Sequence, residues 1–514
     1  FPGMRDSISS FAVPALHLVL GVLSGAPAAE AARPDVLFIA VDDLRPFLSC
    51  YGDTRAITPN LDRLAEKGLV FERAYCQVAK CGPSRLSVLS GLGAAKVGVE
   101  GHGERDIASY RERNGEVPNL PRYFRESGYL TLGFGKIQHD GWTEPRDWSE
   151  PFEAGREGEI LEIADLAAME GLSFEERAKV PTLIAPRDDC PVMQSPDVPD
   201  EALFAGRMTR AAVKVLRESR ERPLFLAVGY RRPHLPFVAP KRYFDLYRPD
   251  PGWLSLHREP AEGAPLMAWF NSDGYQGLAK RLGLAVSYPP TDEAEALRWN
   301  GFELRSYRGV PREGALSDDI QLSLLHAYFA CISYVDAQIG KLLDALDEGD
   351  AWSRTVVVLW SDHGWHFGEH GAWSKMTNYE VATRVPLLVA APGLTRGGRT
   401  ASLAELIDLY PTLCDLAGLE VPSHCEGRSL LPVLQDPSRA VREAAQSRFS
   451  RFKSHLGRAV RTSEFRYVEW TEKEGGAVVA RELYDHRVDP DETRNLAPEN
   501  PEAVARLSAL LSPP

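Results

Sequence analysis

The stretch PDVLFIAVDDLRP, residues 34–46, decides the fold. Val36 to Val41 form an unbroken apolar run, too short for a helix and too uniform for a strand with one wet face. Such a run is a strand buried on both sides, and a strand of that kind belongs to a sheet covered by helices above and below. The two acids that end it, Asp42 and Asp43, then stand at its carboxyl end.

Working outward, the same grammar repeats. ITPNLDRLAEKGLVF (57–71) predicts a helix with Thr58 as N-cap and Pro59 at the first helical position. GYLTLGFGK (128–136) predicts a strand ending at Lys136, and PLFLAVGYRRPH (223–234) one ending before His234. TVVVLWSDHG (355–364) predicts a strand ending at Asp362-His363, and VPLLVAAPG (385–393) predicts another. Helical spacing runs from about Asp318 to Asp347. Alternating strands and helices predict an α/β fold with a large, mostly parallel central sheet flanked by helices. Ligands of such sheets gather outside the carboxyl ends of the strands, which is where the polar residues just named fall. Two stretches, Asp140 to Pro199 and Asp250 to Glu313, lack periodicity and read as long loops over that face. After GRSLLPVLQDPSR (427–439) the segments shorten, predicting a small C-terminal α+β subdomain with an antiparallel sheet and one helix. The expected division is a leader over 1–31, a catalytic domain over 32–438 and the subdomain over 439–514.

The leader reading rests on Met4-Arg5, the apolar run FAVPALHLVLGVL (11–23) and the small residues SGAPAAEA (24–31), the order of a secretory signal. Phe1-Pro2-Gly3 has no part in that signal. With no Asn-x-Ser/Thr sequon in the chain, the expectation is a bacterial protein, secreted or periplasmic, whose mature chain has no membrane span. The net charge of −13, from 59 basic and 72 acidic residues, argues against nucleic acid as a partner. The seven cysteines leave at least one thiol unpaired; Cys50 with Cys76 and Cys414 with Cys425 are possible bridges, and Cys81 belongs to neither.

Asp42, Asp43 and Asp362 bring three carboxylates to one sheet edge. They repel unless a cation holds them, and oxygen-rich sites suit calcium or magnesium, with His363 a softer neighbour. The competing reading is a set of solvated caps. Cys81, near a helix start with Arg85 one turn on, is either a packing thiol or an activated nucleophile.

CGPSRLSVLSG (81–91) resembles the signature of the type I, formylglycine-dependent sulfatases, Cys-x-Pro-Ser-Arg followed by Leu-Thr-Gly, with Ser90 in place of Thr. The resemblance extends through VDDLRPFLSCYGD (41–53), LPRYFRESGYLTLGFGKIQHDG (120–141), PLFLAVGYRRPHLPF (223–237), HAYFACISYVDAQIGKLLDALD (326–347), SDHGWHFGEHGAWSKMTNYEVATRVPLL (361–388), LIDLYPTLCDLAGLEVP (406–422) and LYDHRVDPDETRNLA (483–497), and points to the branch holding the iduronate-2-sulfatases and their bacterial relatives. GLGAAKVGVEGHGERD (91–106) and the two long loops depart from it.

The resemblance implies an alkaline-phosphatase-like sandwich. It implies that Cys81 is oxidised to formylglycine by a separate generating enzyme, and that one Ca2+ is held by Asp42, Asp43, Asp362, His363 and the modified Cys81. Arg85 would hold the aldehyde hydrate, His139 would take its proton, Lys136 would stand beside it, and Lys375 with His234 would meet the sulfate and the leaving oxygen. Charge chemistry agrees with those residue types: a sulfate ester needs fixed positive charge, and an alkoxide leaving group needs an acid. Trp365, His366 and His370 either line the substrate pocket or pack behind it. The expected reaction is removal of the 2-O-sulfate of a uronic acid in a glycan, such as a glycosaminoglycan or an algal polysaccharide. The alternatives are a phosphonate or phosphate ester hydrolase of the same superfamily and an inactive glycan-binding relative.

Overall fold

The computed structural model describes residues 33–152 and 190–511. The expected leader lies outside them, as do residues 153–189 of the first expected loop. The central strand Asp35–Val41 alternates in where it buries its side chains. Leu37, Ile39 and Val41 enter one core, and Val36, Phe38 and Ala40 enter the other. The neighbouring strands Leu224–Tyr230 and Thr355–Ser361 divide their side chains the same way. That two-sided burial is why these strands read as unbroken apolar runs.

Among the described residues, eight strands make the main sheet. The order is Arg384–Val385, Leu69–Tyr75, Leu387–Ala390, Thr355–Ser361, Asp35–Val41, Leu224–Tyr230, Leu130–Gly135, with Arg399–Glu405 paired to Leu69–Tyr75 off this path. The last four in the row run parallel to one another, while Leu387–Ala390 runs antiparallel to both its neighbours. The helices Pro59–Lys67, Phe204–Arg217 and Asp318–Glu348 contribute to one core. Cys81–Ser90, Leu120–Glu126 and Leu409–Leu416 contribute to the other. The helix expected from Pro59 begins there, but Thr58 does not cap it; its hydroxyl lies 3.4 Å from Ser49 Oγ instead.

Two expectations change. The stretch 250–313 is not a loop: it holds the short helices Leu266–Trp269, Gln276–Arg281, Glu293–Trp299 and Phe302–Arg305 around a core of their own that includes Trp269 and Trp299. All seven cysteines are free thiols. Cys50 and Cys76 cannot meet because they belong to cores on opposite faces of the sheet.

The C-terminal region forms a four-stranded antiparallel sheet, Ala445–Arg451, His455–Arg461, Phe465–Glu472 and Val478–Asp485, followed by the helix Pro501–Ser508. Buried charge pins this sheet to the segment after Lys375. Arg466 bridges Glu380 and Glu492, and Arg461 also reaches Glu380. No helix among the described residues is long and apolar enough to cross a membrane.

Candidate active site

Four adjacent parallel strands deliver the site at their carboxyl ends. In a continuing strand, Asp42 and Asp43 would point to opposite faces. The backbone prevents this by turning left-handed at Asp43 (φ 57°). Both carboxylates then face the same group of side chains. Asp43 N–H donates to Asp362 Oδ1 at 3.2 Å, which ties this strand end to the next. Lys136 follows Leu130–Gly135, where the neighbouring strand comes very close. A Cβ on Gly229 would sit 2.2 Å from the Lys136 carbonyl oxygen, so only glycine admits that approach.

Cys81 is the first residue of the helix Cys81–Ser90, with Lys80 extended before it. Pro83 is therefore the third helical residue, within the turn where a missing N–H costs nothing. Every residue of this helix is buried, which explains its lack of a polar face. Cys81 Sγ lies 3.2 Å from His363 Nε2 and 3.5 Å from Lys375 Nζ. Burial, with Asp42 nearby, pushes the Cys81 thiol up to about 11. A thiol so held is protonated near neutrality and is a poor nucleophile as cysteine.

Around it the charges interlock. Arg85, wholly buried, bonds Asp362 at 2.8 Å and Asp42 at 3.1 Å and donates to the carbonyls of Lys136 and Ile137. Lys136 also pairs with Asp42. Burial would raise the Asp42 carboxyl, but Lys136 and Arg85 outweigh it and hold it well below the carboxylate range. Lys375 Nζ contacts both oxygens of Asp43, at 2.9 and 3.1 Å. For Asp43 burial wins, and its carboxyl is pushed well up despite Lys375. His234 gives its Nδ1–H to the Leu235 carbonyl, leaving Nε2 3.9 Å from Asp43. Burial and Lys375 keep the His234 ring neutral. Oxygen, nitrogen and sulfur atoms of Asp42, Cys81, Asp362 and His363 lie within 4.8 Å of one another, and so do those of Asp43, Cys81 and His234. Buried carboxylates converging with one imidazole are the donor set of a hard dication, and these residues fit one.

His139 stands at the side. Its ring stacks on His102 at 4.0 Å and meets Trp142 edge-on. Burial, with Lys136, lowers it to about 3, and its Nδ1 has no partner among the described residues. Trp365 lies under Lys375, whose Nζ is 5.3 Å from the ring centroid. His366 and His370 turn inward and are packing residues: His366 bonds Thr377, and His370 stacks on Tyr379 at 3.9 Å.

Four side chains escaped the sequence reading. Glu303, from a short helix in 250–313, lies 3.5 Å from Lys375 Nζ and 3.8 Å from His234 Nε2. Asn271 donates to the carbonyls of Trp373 and Lys375, while Arg451 donates to that of Met376. Together they grip a backbone that is left-handed at both Ser374 (φ 76°) and Met376 (φ 73°), a conformation a non-glycine chain keeps only when its surroundings enforce it. His102 Nε2 accepts the N–H of Gly82 at 3.1 Å. A Cβ at Gly82 would meet the Trp142 ring at 2.7 Å and the His102 ring at 2.8 Å. Gly82→Ala is therefore expected to destabilise by about 1–3 kcal/mol and to lower kcat by shifting His139, as read by thermal melting alongside steady-state rates.

The fold and the site define a hydrolase for a negatively charged ester. Residues 34–419 match the family described as Sulfatase, and residues 368–511 match that described as N-sulphoglucosamine sulphohydrolase, C-terminal. The chain belongs to the sulfatase family, and it is a sulfuric ester hydrolase with that family's alkaline-phosphatase-like fold. It is 34% identical to the iduronate 2-sulfatase of Homo sapiens over 426 residues, covering 76% of this chain and 70% of the relative. It is 29% identical to a sulfatase of Formosa agariphila, covering 91% and 84%. Among solved structures it is similar to the phosphonate monoester hydrolase of Agrobacterium radiobacter, with a TM-score of 0.68, 23% identity and 93% and 94% of the two chains covered, a likeness of fold.

Proposed function

We propose that this enzyme removes the 2-O-sulfate of a uronic acid in a sulfated glycan, with formylglycine made from Cys81 and a bound Ca2+. The observation that carries the reading is the buried meeting of Cys81 with Lys375, His363, Asp42 and Asp362, in a chain 34% identical to an iduronate 2-sulfatase. Asp42, Asp43, Asp362 and His363 would hold the cation, which when bound draws charge from the sulfate oxygens. Position 81, once oxidised, supplies a hydrate oxygen as nucleophile toward sulfur.

The chain's own residues do the rest. Arg85 fixes Asp42 and Asp362 so that the acids cannot splay. Lys136 and Lys375 add two buried positive charges where negative charge builds, and such charges act strongly because they need no reorganisation. Lys375 is held protonated: burial opposes its charge, but Asp43 outweighs it. His139, neutral with a bare nitrogen, would accept a proton from position 81. His234 serves the leaving oxygen. Its Nε2 carries no proton at rest, so it must take one up before donating it.

The test is sulfate release from a panel of defined substrates. A 2-O-sulfated uronate disaccharide should be cleaved at least about 100-fold faster, in kcat/KM, than a hexosamine 6-O-sulfate, an aryl phosphate or an aryl phosphonate. Preference for the phosphonate would assign the chain to the other chemistry. Chelation should abolish release and lower Tm by a few degrees, and Ca2+ should restore both, because a ligand bound only by the folded state stabilises it by mass action.

A further inference from the structure

Next to the catalytic cluster is a cavity of ≈ 390 Å³ that the chemistry above does not use. Its wall includes Lys80, the neighbour of Cys81, and Met376, the neighbour of Lys375. It therefore begins one residue from each side of the reacting centre. The far wall comes from the C-terminal sheet, through Arg448, Ser450 and Lys453.

The charges lining it are unequally engaged. Its three acids are all occupied. Glu100 pairs with Lys473 and accepts from Ser450. Asp106 accepts the N–H groups of Gly101 and Gly103. Asp273 is held by Arg451 and Tyr288. The cations are not so occupied. Lys80 donates to one backbone carbonyl, that of Glu100. Neither the Arg448 guanidinium nor the Lys453 ammonium has a hydrogen bond or ion pair among the described residues. Lys453 is presented by a hairpin turn in which Phe452 (φ 54°) and Lys453 (φ 64°) are both left-handed, at sites where glycine or asparagine would relieve the strain. Arg451, from the same strand end, donates to the Met376 carbonyl, so the turn and the Lys375 backbone are braced together.

We infer that this cavity is a second anion subsite, in which Arg448 and Lys453, with Lys80, bind a carboxylate or sulfate carried by the substrate at a position other than the ester being cleaved. The inference rests on the reading that the enzyme desulfates glycans, whose sugars carry such groups at fixed spacing. It explains why a chain of net charge −13 would keep two cations with no acid in direct contact, Arg448 drawn only through space to Glu100, beside its reacting centre. It also assigns the C-terminal sheet a role in choosing the substrate.

The experiment compares Arg448→Ala, Lys453→Ala and the double variant with the parent on three substrates. These are a 2-O-sulfated uronate disaccharide bearing a second sulfate, the same disaccharide without that sulfate, and 4-nitrophenyl sulfate, which has no second anion. The double variant should raise KM for the disulfated disaccharide by about 30-fold, the loss typical of a charge-assisted contact, with kcat and aryl sulfate turnover unchanged. Arg448→Lys should recover part of the loss. If the second sulfate is the ligand, the singly sulfated disaccharide should already be weak for the parent and insensitive to the variants. If the uronate carboxylate is the ligand, both disaccharides should suffer alike, and carboxyl reduction should remove the effect. Equal loss on all three substrates, or no change in KM for either disaccharide, would overturn the subsite while leaving the sulfatase reading intact. Failure of the parent to cleave any of the three would overturn both.

Discussion

Cys81→Ala is expected to end sulfate release: kcat should fall by about 10⁴-fold or more, the scale seen when a nucleophile is removed from an otherwise complete site. The fold should survive, because Cys81 is small and its neighbours are held by other bonds. Arg85 keeps its two acids, Lys375 keeps Asp43, and Ser84 Oγ still donates to the Asp362 carbonyl at 2.6 Å. Melting should therefore show a Tm near that of the parent, and calorimetry should show the disaccharide still bound. Cys81→Ser should behave the same way if the nucleophile is an oxidised side chain, since a serine hydroxyl cannot form an aldehyde hydrate. Mass spectrometry of the parent peptide 81–91 should show the sulfur replaced by oxygen and two hydrogens lost, the composition of an aldehyde and not of a serine. Ordinary cysteine at position 81 in a fully active preparation, or activity within tenfold of the parent in Cys81→Ala, would refute the nucleophile assignment.

Much of this site was legible because strands announce their ends. A two-sided strand is a run of apolar residues that stops when the chain leaves the sheet, so Asp42-Asp43, Lys136, His234 and Asp362-His363 could be assigned to one edge before any coordinates. The long helix was legible for a similar reason: from Asp318 to Glu348 it is long enough to show its period. The segment 250–313 hid its structure because its helices are four to seven residues long and turn their apolar side chains in several directions, leaving no repeat to find. Glu303 and Asn271 were lost with it. Arg451 was hidden differently. It sits in a strand that alternates buried and part-buried residues and reads as an ordinary exposed charge, yet it is fully buried against Met376 and Asp273. No local pattern reports a partner 75 residues away. The left-handed turns at Asp43, Ser374 and Met376 were illegible too, because they are imposed by the groups that grip them.

The helix from Cys81 to Ser90 carries the second large effect. Arg85→Ala should lower stability by about 3–5 kcal/mol, the cost of breaking a buried ion pair from one side. The guanidinium spans two carboxylates on different strands and two backbone carbonyls, and it reaches all four without any exposure to solvent. Its removal leaves Asp362 without its guanidinium partner and Asp42 with Lys136 alone, two buried acids facing each other. Two further substitutions separate charge from volume. Arg85→Met refills the cavity without the charge, and Arg85→Lys restores a charge without the planar fork that serves four acceptors at once. If the charge matters most, methionine should be as damaging as alanine, lysine should recover part of the loss, and added Ca2+ should raise the Tm of the alanine variant more than that of the parent, because the cation then replaces the positive charge that Asp362 and Asp42 shared. If methionine restores stability and lysine does not, the contribution of Arg85 is packing, and the account of the site as carboxylates held together by fixed positive charge is wrong.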